Sequence, residues 1–328
     1  MQYRDSKPPG PSAYTIEIEP DHAGQRLDNF LLRALKGVPR THVYRLIRSG
    51  QVRVNSGRVR ASYRLKAGDT VRVPPVTQRA RPKPEVAEQG LRWLEQRVLY
   101  EDNKIIVLDK PAGMAVHSGS GVSLGCIEAL RCLRPKSPDM DLVHRLDRGT
   151  SGCLLIAKRR SALRSLHALL RDGGMEKRYL ALLEGAWPHG TYAVTQPLAK
   201  RHSSDGTFVR VAADGKRAQS EFRVVEFYGK AATLVEIRIP TGRTHQIRVH
   251  AAYMGHAIAG DTRYGNAEFN ERMLTLGLKR MFLHAHALEF TWPDSDEAFV
   301  VSAPLPNELH HVQLRVAASG SRSSSNKT

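Results

Sequence analysis

The chain has 328 residues, 41% of them hydrophobic, and sets 50 Lys and Arg against 32 Asp and Glu for a formal net charge of +18. No apolar run approaches the roughly 18 residues of a membrane span, the first thirty residues hold no signal-peptide core, and Cys126, Cys132 and Cys153 show no CxxC or other ligand spacing. A membrane protein and a disulfide-stapled secreted domain are thereby excluded, and a cytoplasmic, monomeric protein of about two domains is expected.

The charge is uneven. Residues 26–81 carry 14 basic and 2 acidic side chains, so one short stretch holds +12 of the excess. Such a field points to a polyanion, because each phosphate neutralised adds salt-dependent affinity. A small basic domain for a protein partner is the plainer alternative.

In chain order, residues 1–23 form an N-terminal extension whose first part, rich in Pro, Ser and Gly, is expected to be mobile; residues 14–18 alternate like a short strand. Residues 26–35 place Leu27, Phe30, Leu31 and Leu35 at helical spacing, and Gly37 ends that helix. Pro39 and Thr41 open a second helix through Arg48, with Val43, Leu46 and Ile47 inward and Gly50 as its stop. Its polar side carries Arg40, Arg45 and Arg48. Strands at 52–55, with Arg53, and at 70–73 complete a compact basic unit over residues 24–75. Residues 76–92 read as a semi-extended linker, residues 93–316 as the main domain, and residues 317–328 as a Ser-rich disordered tail.

The main domain is strand-rich. Strands at 98–100 and 105–108 precede a bend at Lys110-Pro111-Ala112-Gly113, a glycine-serine loop at 117–121 and a helix at 124–133. A helix at 161–170 ends at Gly173-Gly174, a strand follows at 178–182, and residues 222–227 and 232–239 form a hairpin. A helix at 245–253 and a strand at 282–290 complete the pattern. Strands and helices do not alternate regularly, which predicts an α+β fold with a mixed, mostly antiparallel sheet rather than a doubly wound one.

The densest chemistry lies in His144-Arg145-Leu146-Asp147-Arg148-Gly149-Thr150-Ser151-Gly152. Apolar runs on both sides predict a strand, a sharp glycine-bearing loop and a second strand, with Asp147 at a sheet edge. A carboxylate between Arg145 and Arg148 is favoured in its charged form. It is then a candidate nucleophile or base, or a structural ion pair in a turn; the local pattern leaves both open. Elsewhere the chain lacks GxxxxGK[ST], GxGxxG and HExxH. His284 and His286 share a strand face without a further ligand cluster, so neither a metal nor a nucleotide cofactor is expected.

Five motifs recur in order. His144 to Gly152 reads HRLDxxTSG; Asp109-Lys110-Pro111-Ala112-Gly113 is similar to NKPxG; Lys177-Arg178-Tyr179-Leu180-Ala181 reads KxYxA; residues 241–250 read TGRTHQIRVH; and residues 260–265 read GDxxYG. This set resembles the RluA-type pseudouridine synthases. Gln25-Arg26-Leu27-Asp28, Val52-Arg53-Val54-Asn55 and Leu65-Lys66-Ala67-Gly68-Asp69 resemble an S4 RNA-binding domain, and the combination resembles the members that act on 23S (large-subunit) ribosomal RNA. The resemblance implies a pseudouridine synthase catalytic domain in which Asp147 is the catalytic carboxylate, Arg248 pairs with it and Tyr179 stacks on a flipped-out uridine. Arg145 would enter the vacated helical space, and Arg243 and His245 would face RNA or brace their loop. Arg40, Arg45, Arg48 and Arg53 would contact RNA from the S4 unit. No cofactor is implied, since the isomerisation oxidises nothing and spends no phosphate. A second reading, a non-catalytic S4-type ribosome assembly factor keeping the same fold, predicts that Asp147→Asn leaves the cellular phenotype intact. A third, an aspartate-dependent transferase on a smaller anionic substrate, does not explain the +12 stretch.

Overall fold

Alternation of valines with polar residues is the rule that builds the N-terminal unit. The structure is a computed structural model and describes residues 12–35, 37–76, 88–118, 124–137, 139–188, 190–203 and 206–324. It divides into two compact units, Met1–Val86 and Ala87–Thr328. The first contains β1 (Tyr14–Glu17), α1 (Leu27–Ala34), α2 (Arg40–Arg48), β2 (Arg53–Val54) and β3 (Thr70–Val73). Its strands form an antiparallel sheet in the order β1-β3-β2. Val71 and Val73 are buried while Thr70 and Arg72 are exposed. Leu27, Phe30 and Leu31 of α1 and Val43, Leu46 and Ile47 of α2 join those valines in one core, as their spacing predicts. Buried Asp69 anchors the turn before β3: it accepts hydrogen bonds from Lys66 N at 2.8 Å, Asn55 Nδ2 at 2.8 Å and the Tyr63 hydroxyl at 3.1 Å. The Lys66 N–H leads the effects that hold its carboxyl below the usual range.

The second unit contains β4 (Val98–Glu101), β5 (Ile105–Lys110), α3 (Cys126–Leu133), β6 (Asp141–Leu142), β7 (Ser151–Ala157), α4 (Arg160–Asp172) and β8 (Met175–Glu184). It continues with β9 (Thr191–Val194), β10 (Leu198–Ser203), β11 (Gly206–Val211), β12 (Ser220–Tyr228), β13 (Ala232–Arg238) and α5 (Gln246–Tyr253). The last elements are α6 (Ala267–Thr275), β14 (Leu283–Thr291), β15 (Ala298–Ser302) and α7 (Asn307–Ser324). The main sheet has ten strands in the order β4-β5-β7-β14-β8-β13-β12-β9, with β6 on β7 and β15 on β14. Among the described residues only β7 and β14 pair in parallel, so the expected mixed, mostly antiparallel sheet is what forms. β10 and β11 make a separate hairpin. Helices cover both faces: α3 and α5 share one core with Ile106, Leu108, Leu154 and Ile156, and α4 shares the other with Ile105, Val107, Leu155 and Ala157. No helix among the described residues is long and apolar enough to cross a membrane.

β7 is buried at every residue and lies between β5 and β14. The strand that follows the Asp147 loop is therefore an interior strand, not the expected sheet edge: it is paired with β5 on one side and β14 on the other, and its continuous apolar run is covered on both faces. Gly152 has φ +106°, and a Cβ there would overlap the backbone oxygen of Ala285, its parallel partner on β14. Gly152→Ala is expected to lower stability by about 3 kcal/mol. An unchanged urea midpoint would contradict the close approach.

Two segment boundaries differ from expectation. Residues 88–92, read as linker, begin a 3-10 helix, Glu88–Arg97, because Leu91 and Leu94 insert into the main core. The tail read as disordered from residue 317 continues α7 to Ser324, extending a helix whose Leu309, Val312 and Val316 are buried. The mobile start over residues 1–11, linker residues 77–87, residues 119–121 of the glycine-serine loop and tail residues 325–328 lie outside the described residues.

Candidate active site

Asp147 occupies a tight turn four residues ahead of β7, closed by Thr150 N donating to Asp147 O at 3.1 Å. The turn is clamped from the preceding bend. Arg148 Nε donates to Gly113 O at 2.8 Å, and Gly113 N returns a bond to Arg148 O at 2.8 Å. Lys110, fully buried, donates its ammonium to Pro111 O and Met114 O at 2.9 Å each and to Arg148 O at 3.2 Å. Burial pushes that ammonium down to about 8. Lys110 is thus an internal staple between the two motifs, not a phosphate contact.

The crowd of charge seen in the sequence is dispersed. Arg145 is exposed, Arg148 serves Gly113, and neither pairs with Asp147 among the described residues. The turn's backbone sends neighbouring side chains in different directions, so adjacency in sequence did not make an ion pair. His144 Nε2 accepts from Leu155 N at 3.1 Å, and burial, with Lys177 adding to it, pushes the ring to about 4. It is a neutral brace on β7.

The partner of Asp147 comes from α5. Arg248 Nη1 lies 3.2 Å from Asp147 Oδ2. The rest of its fork grips Asp261, Nε to Oδ2 at 2.7 Å and Nη2 to Oδ1 at 2.8 Å. Its guanidinium stands 4.9 Å from the Tyr264 ring centroid. Asp261, 1% exposed, also accepts from the N–H groups of Arg263 and Tyr264 at 2.9 and 3.1 Å. Burial alone would raise its carboxyl; Arg248 and those N–H groups outweigh burial and hold it below the usual range. Arg248 is therefore fixed by a bidentate pair and a ring face, and one nitrogen is left to aim at Asp147. Asp261 carries this and was assigned no role from sequence. Its signal was the acid of the GDxxYG motif, whose Gly260 turns at φ +75° beside the backbone of Arg280.

His245 completes the constellation. It precedes α5 in the left-handed region at φ +54°, a strained position for a non-glycine residue. Val209 N donates to the Tyr264 hydroxyl at 3.0 Å, and that hydroxyl is hydrogen-bonded to His245 Nδ1 at 2.8 Å. Nε2 is left facing Asp147 Oδ2 at 3.9 Å. Burial lowers the ring's pKa, with Asp147 opposing the shift. Buried Gln246 holds the loop: its Oε1 accepts from the Thr241 hydroxyl and Arg243 N, and its Nε2 donates to Gln219 O and Ser220 Oγ. Arg243 is exposed and donates Nε to Arg217 O at 3.0 Å, so it braces the same loop.

Tyr179 lies on β8 in the main core, 5% exposed. Burial first, and Asp147 next, push its phenol well above the ordinary tyrosine range. In the N-terminal unit Arg40, Arg45 and Arg48 are exposed on α2, Arg40 standing 5.5 Å from the Tyr44 ring centroid, and Arg53 donates to Ser56 O at 3.1 Å. The structure thus gathers Asp147, Arg248 and His245, and adds Asp261 and Tyr264, while Tyr179 lies in the main core.

The remaining buried histidines are structural. Ser151 Oγ accepts from Arg280 Nη2 and donates to His284 Nδ1, whose Nε2 donates to Ala303 O. Among the described residues no group of three His, Cys, Asp or Glu is placed to hold a metal. His144 and His284 are each held by burial at about 4 against an ordinary 6.5. The unfolded chain takes up a proton at each ring below 6.5, the folded chain only near 4, so stability is lost as pH falls through that window. The loss is expected to be about 2 kcal/mol per ring at about pH 5 relative to about pH 7. Urea denaturation at the two pH values checks this, and His284→Asn should make the fall shallower; equal sensitivity in native and variant chains would contradict it.

Comparison with known proteins defines the class. Residues 104–253 match the RNA pseudouridylate synthase family and residues 25–71 the S4 domain. The chain belongs to the RNA pseudouridylate synthases, with an N-terminal S4 domain. It is similar to the ribosomal large subunit pseudouridine synthase C of Salmonella typhimurium, at 51% identity over 304 residues, 91% of this chain and 95% of the relative. The same synthase of Escherichia coli strain K12 is 51% identical over 305 residues, with the same coverage of 91% and 95%. That of Pasteurella multocida is 48% identical over 314 residues, 95% of this chain and 96% of the relative. Among solved structures, human RNA pseudouridylate synthase domain containing 1 superposes with a TM-score of 0.51 at 26% identity, covering 63% of this chain and 82% of that one. Human RNA pseudouridylate synthase domain containing 4, at 23% identity and TM-score 0.58 over 70% of this chain and 96% of that one, shares the fold.

Proposed function

We propose that this enzyme isomerises specific uridines of 23S (large-subunit) ribosomal RNA to pseudouridine, with Asp147 as the catalytic carboxylate acting on a flipped-out uridine. The observation that carries the reading is the carboxylate of Asp147 held 3.2 Å from Arg248, whose remaining nitrogens are locked on Asp261. Relatives near half identity over nine-tenths of the chain, named for the large ribosomal subunit, support the substrate.

The reaction breaks the N1–C1′ bond, turns the uracil, joins C5 to C1′, releases the C5 proton and leaves N1 to take up a proton from solvent. Nothing is oxidised and no phosphate is spent, so the reaction requires neither a redox nor a nucleotide cofactor. Attack at C1′, attack at C6 and deprotonation at C2′ all need an oriented carboxylate, which the Arg248 clamp supplies. Extruding the base costs a few kcal/mol; exposed Arg145, two residues from Asp147, fills the gap. Tyr179 packs against the extruded uracil, and residues 24–75 supply the phosphate affinity that holds the RNA. Large-subunit RNA tritiated at uridine C5 tests this: purified enzyme with no added cofactor should release tritium. No release from any large-subunit transcript would overturn the reading.

A further inference from the structure

We propose that the solvent face of the β1-β3-β2 sheet is a phosphate-binding site for the RNA backbone, with Arg53 and Arg72 as its paired ligands. The proposal rests on the reading of this enzyme as RNA-acting and adds a surface distinct from the arginines of α2.

Arg53 and Arg72 are direct register partners across the antiparallel pair β2 and β3. Like charges directly opposite on one sheet face are destabilising. Here they are not neutralised: Arg53 donates to Ser56 O and Arg72 to Gln51 O, each at 3.1 Å, and neither has an acidic partner among the described residues. Glu17 of β1, exposed on the same face, pairs in register with Thr70 and forms no ion pair with either arginine. The two arginines line one cleft of about 400 Å³ with Thr15, Asn55, Ser56 and Thr70.

The rim of the cleft is rigid. Asn55 and Ser56 both take the left-handed conformation, at φ 49° and 66°. Asn55 Oδ1 accepts from Thr70 N at 2.8 Å and the Thr70 hydroxyl at 3.2 Å, while Asn55 Nδ2 donates to buried Asp69. Two guanidinium groups on facing strands, with the Thr15 hydroxyl beside them, match the several oxygens of one phosphodiester. A bound phosphate would offset the repulsion between the two arginines. Arg72, in the strand after the Lys-Ala-Gly-Asp turn, had no assigned role in the sequence; its register with Arg53 is what singles it out.

The test uses the full chain carrying Arg53→Gln with Arg72→Gln, a large-subunit ribosomal RNA transcript as probe, and a potassium chloride titration. Affinity should fall about tenfold, and the slope of log affinity against log salt should flatten by about one, the signature of one lost phosphate contact. The thermal midpoint should stay level or rise, because the like-charged pair is gone. Arg53→Lys with Arg72→Lys should keep most of the slope and lose part of the affinity, since ammonium groups lack the fork. An unchanged slope in the glutamine variant, with or without a lower midpoint, would overturn the site and leave the arginines as sheet surface. Tritium release by the native enzyme reports on catalysis alone, so an enzyme silent in that assay can still show the arginine-dependent slope, and the two proposals fail separately.

Discussion

Asp147→Asn is expected to bind large-subunit ribosomal RNA as the native chain does and to isomerise none of it, with single-turnover tritium release falling by more than about 10⁴-fold. The substitution is nearly isosteric. The amide oxygen can still accept from Arg248 Nη1, which lies 3.2 Å from Asp147 Oδ2 in the native chain. The side chain is a quarter exposed, so the weakened ion pair should cost the fold about 1 kcal/mol or less. What disappears is the anionic oxygen that every route for uridine isomerisation needs. Retention of more than a tenth of the native rate would remove Asp147 from the chemistry and favour a non-catalytic RNA-binding role for the fold.

Arg248→Lys is expected to lower the single-turnover rate by about 10² to 10³-fold, although it keeps the positive charge. An ammonium can point at Asp147 or at Asp261, but it cannot span both as the guanidinium does. It also leaves the Asp261 carboxylate, 1% exposed, with the N–H groups of Arg263 and Tyr264 and no opposing fork. Breaking a buried pair in this way should lower stability by about 3 kcal/mol. Asp261→Asn separates the two effects. Arg248 stays, but the new amide group faces its N–H donors and frees the fork, so the rate should fall by about 10 to 100-fold with RNA affinity unchanged. Circular dichroism and a urea titration on both variants keep loss of fold apart from loss of aim. Native rates in Asp261→Asn would mean that Arg248 needs no second carboxylate to serve Asp147.

Much of this was legible in the chain, and the omissions have physical causes. The helices of the N-terminal unit follow from apolar spacing, and Leu27, Leu31, Val43 and Ile47 are buried where that spacing puts them. Arg248 was found because its motif is local to one helix turn. Asp261 was not, because a lone acid after a glycine reads as a turn former, and its grip on Arg248 exists only once the turn folds back on α5. Arg148 misled for the opposite reason: adjacent to Asp147 in sequence, it is turned toward Gly113 by the backbone. The left-handed backbone of His245 is a tertiary demand that no residue type announces. The hairpin of β10 and β11 lacks the apolar alternation that marks a half-buried strand, since Lys200, Arg201 and His202 run together. Leu91 and Leu94 read as stray apolar residues in a polar linker until the core they enter is present.

The most direct test of the central claim is nucleoside analysis of large-subunit ribosomal RNA incubated with the purified native enzyme alone, beside Asp147→Asn. The account predicts that pseudouridine appears mole for mole with the uridine lost, at a few defined positions, and only with the native enzyme. Pseudouridine formed equally by Asp147→Asn, or none formed by either protein, would contradict it.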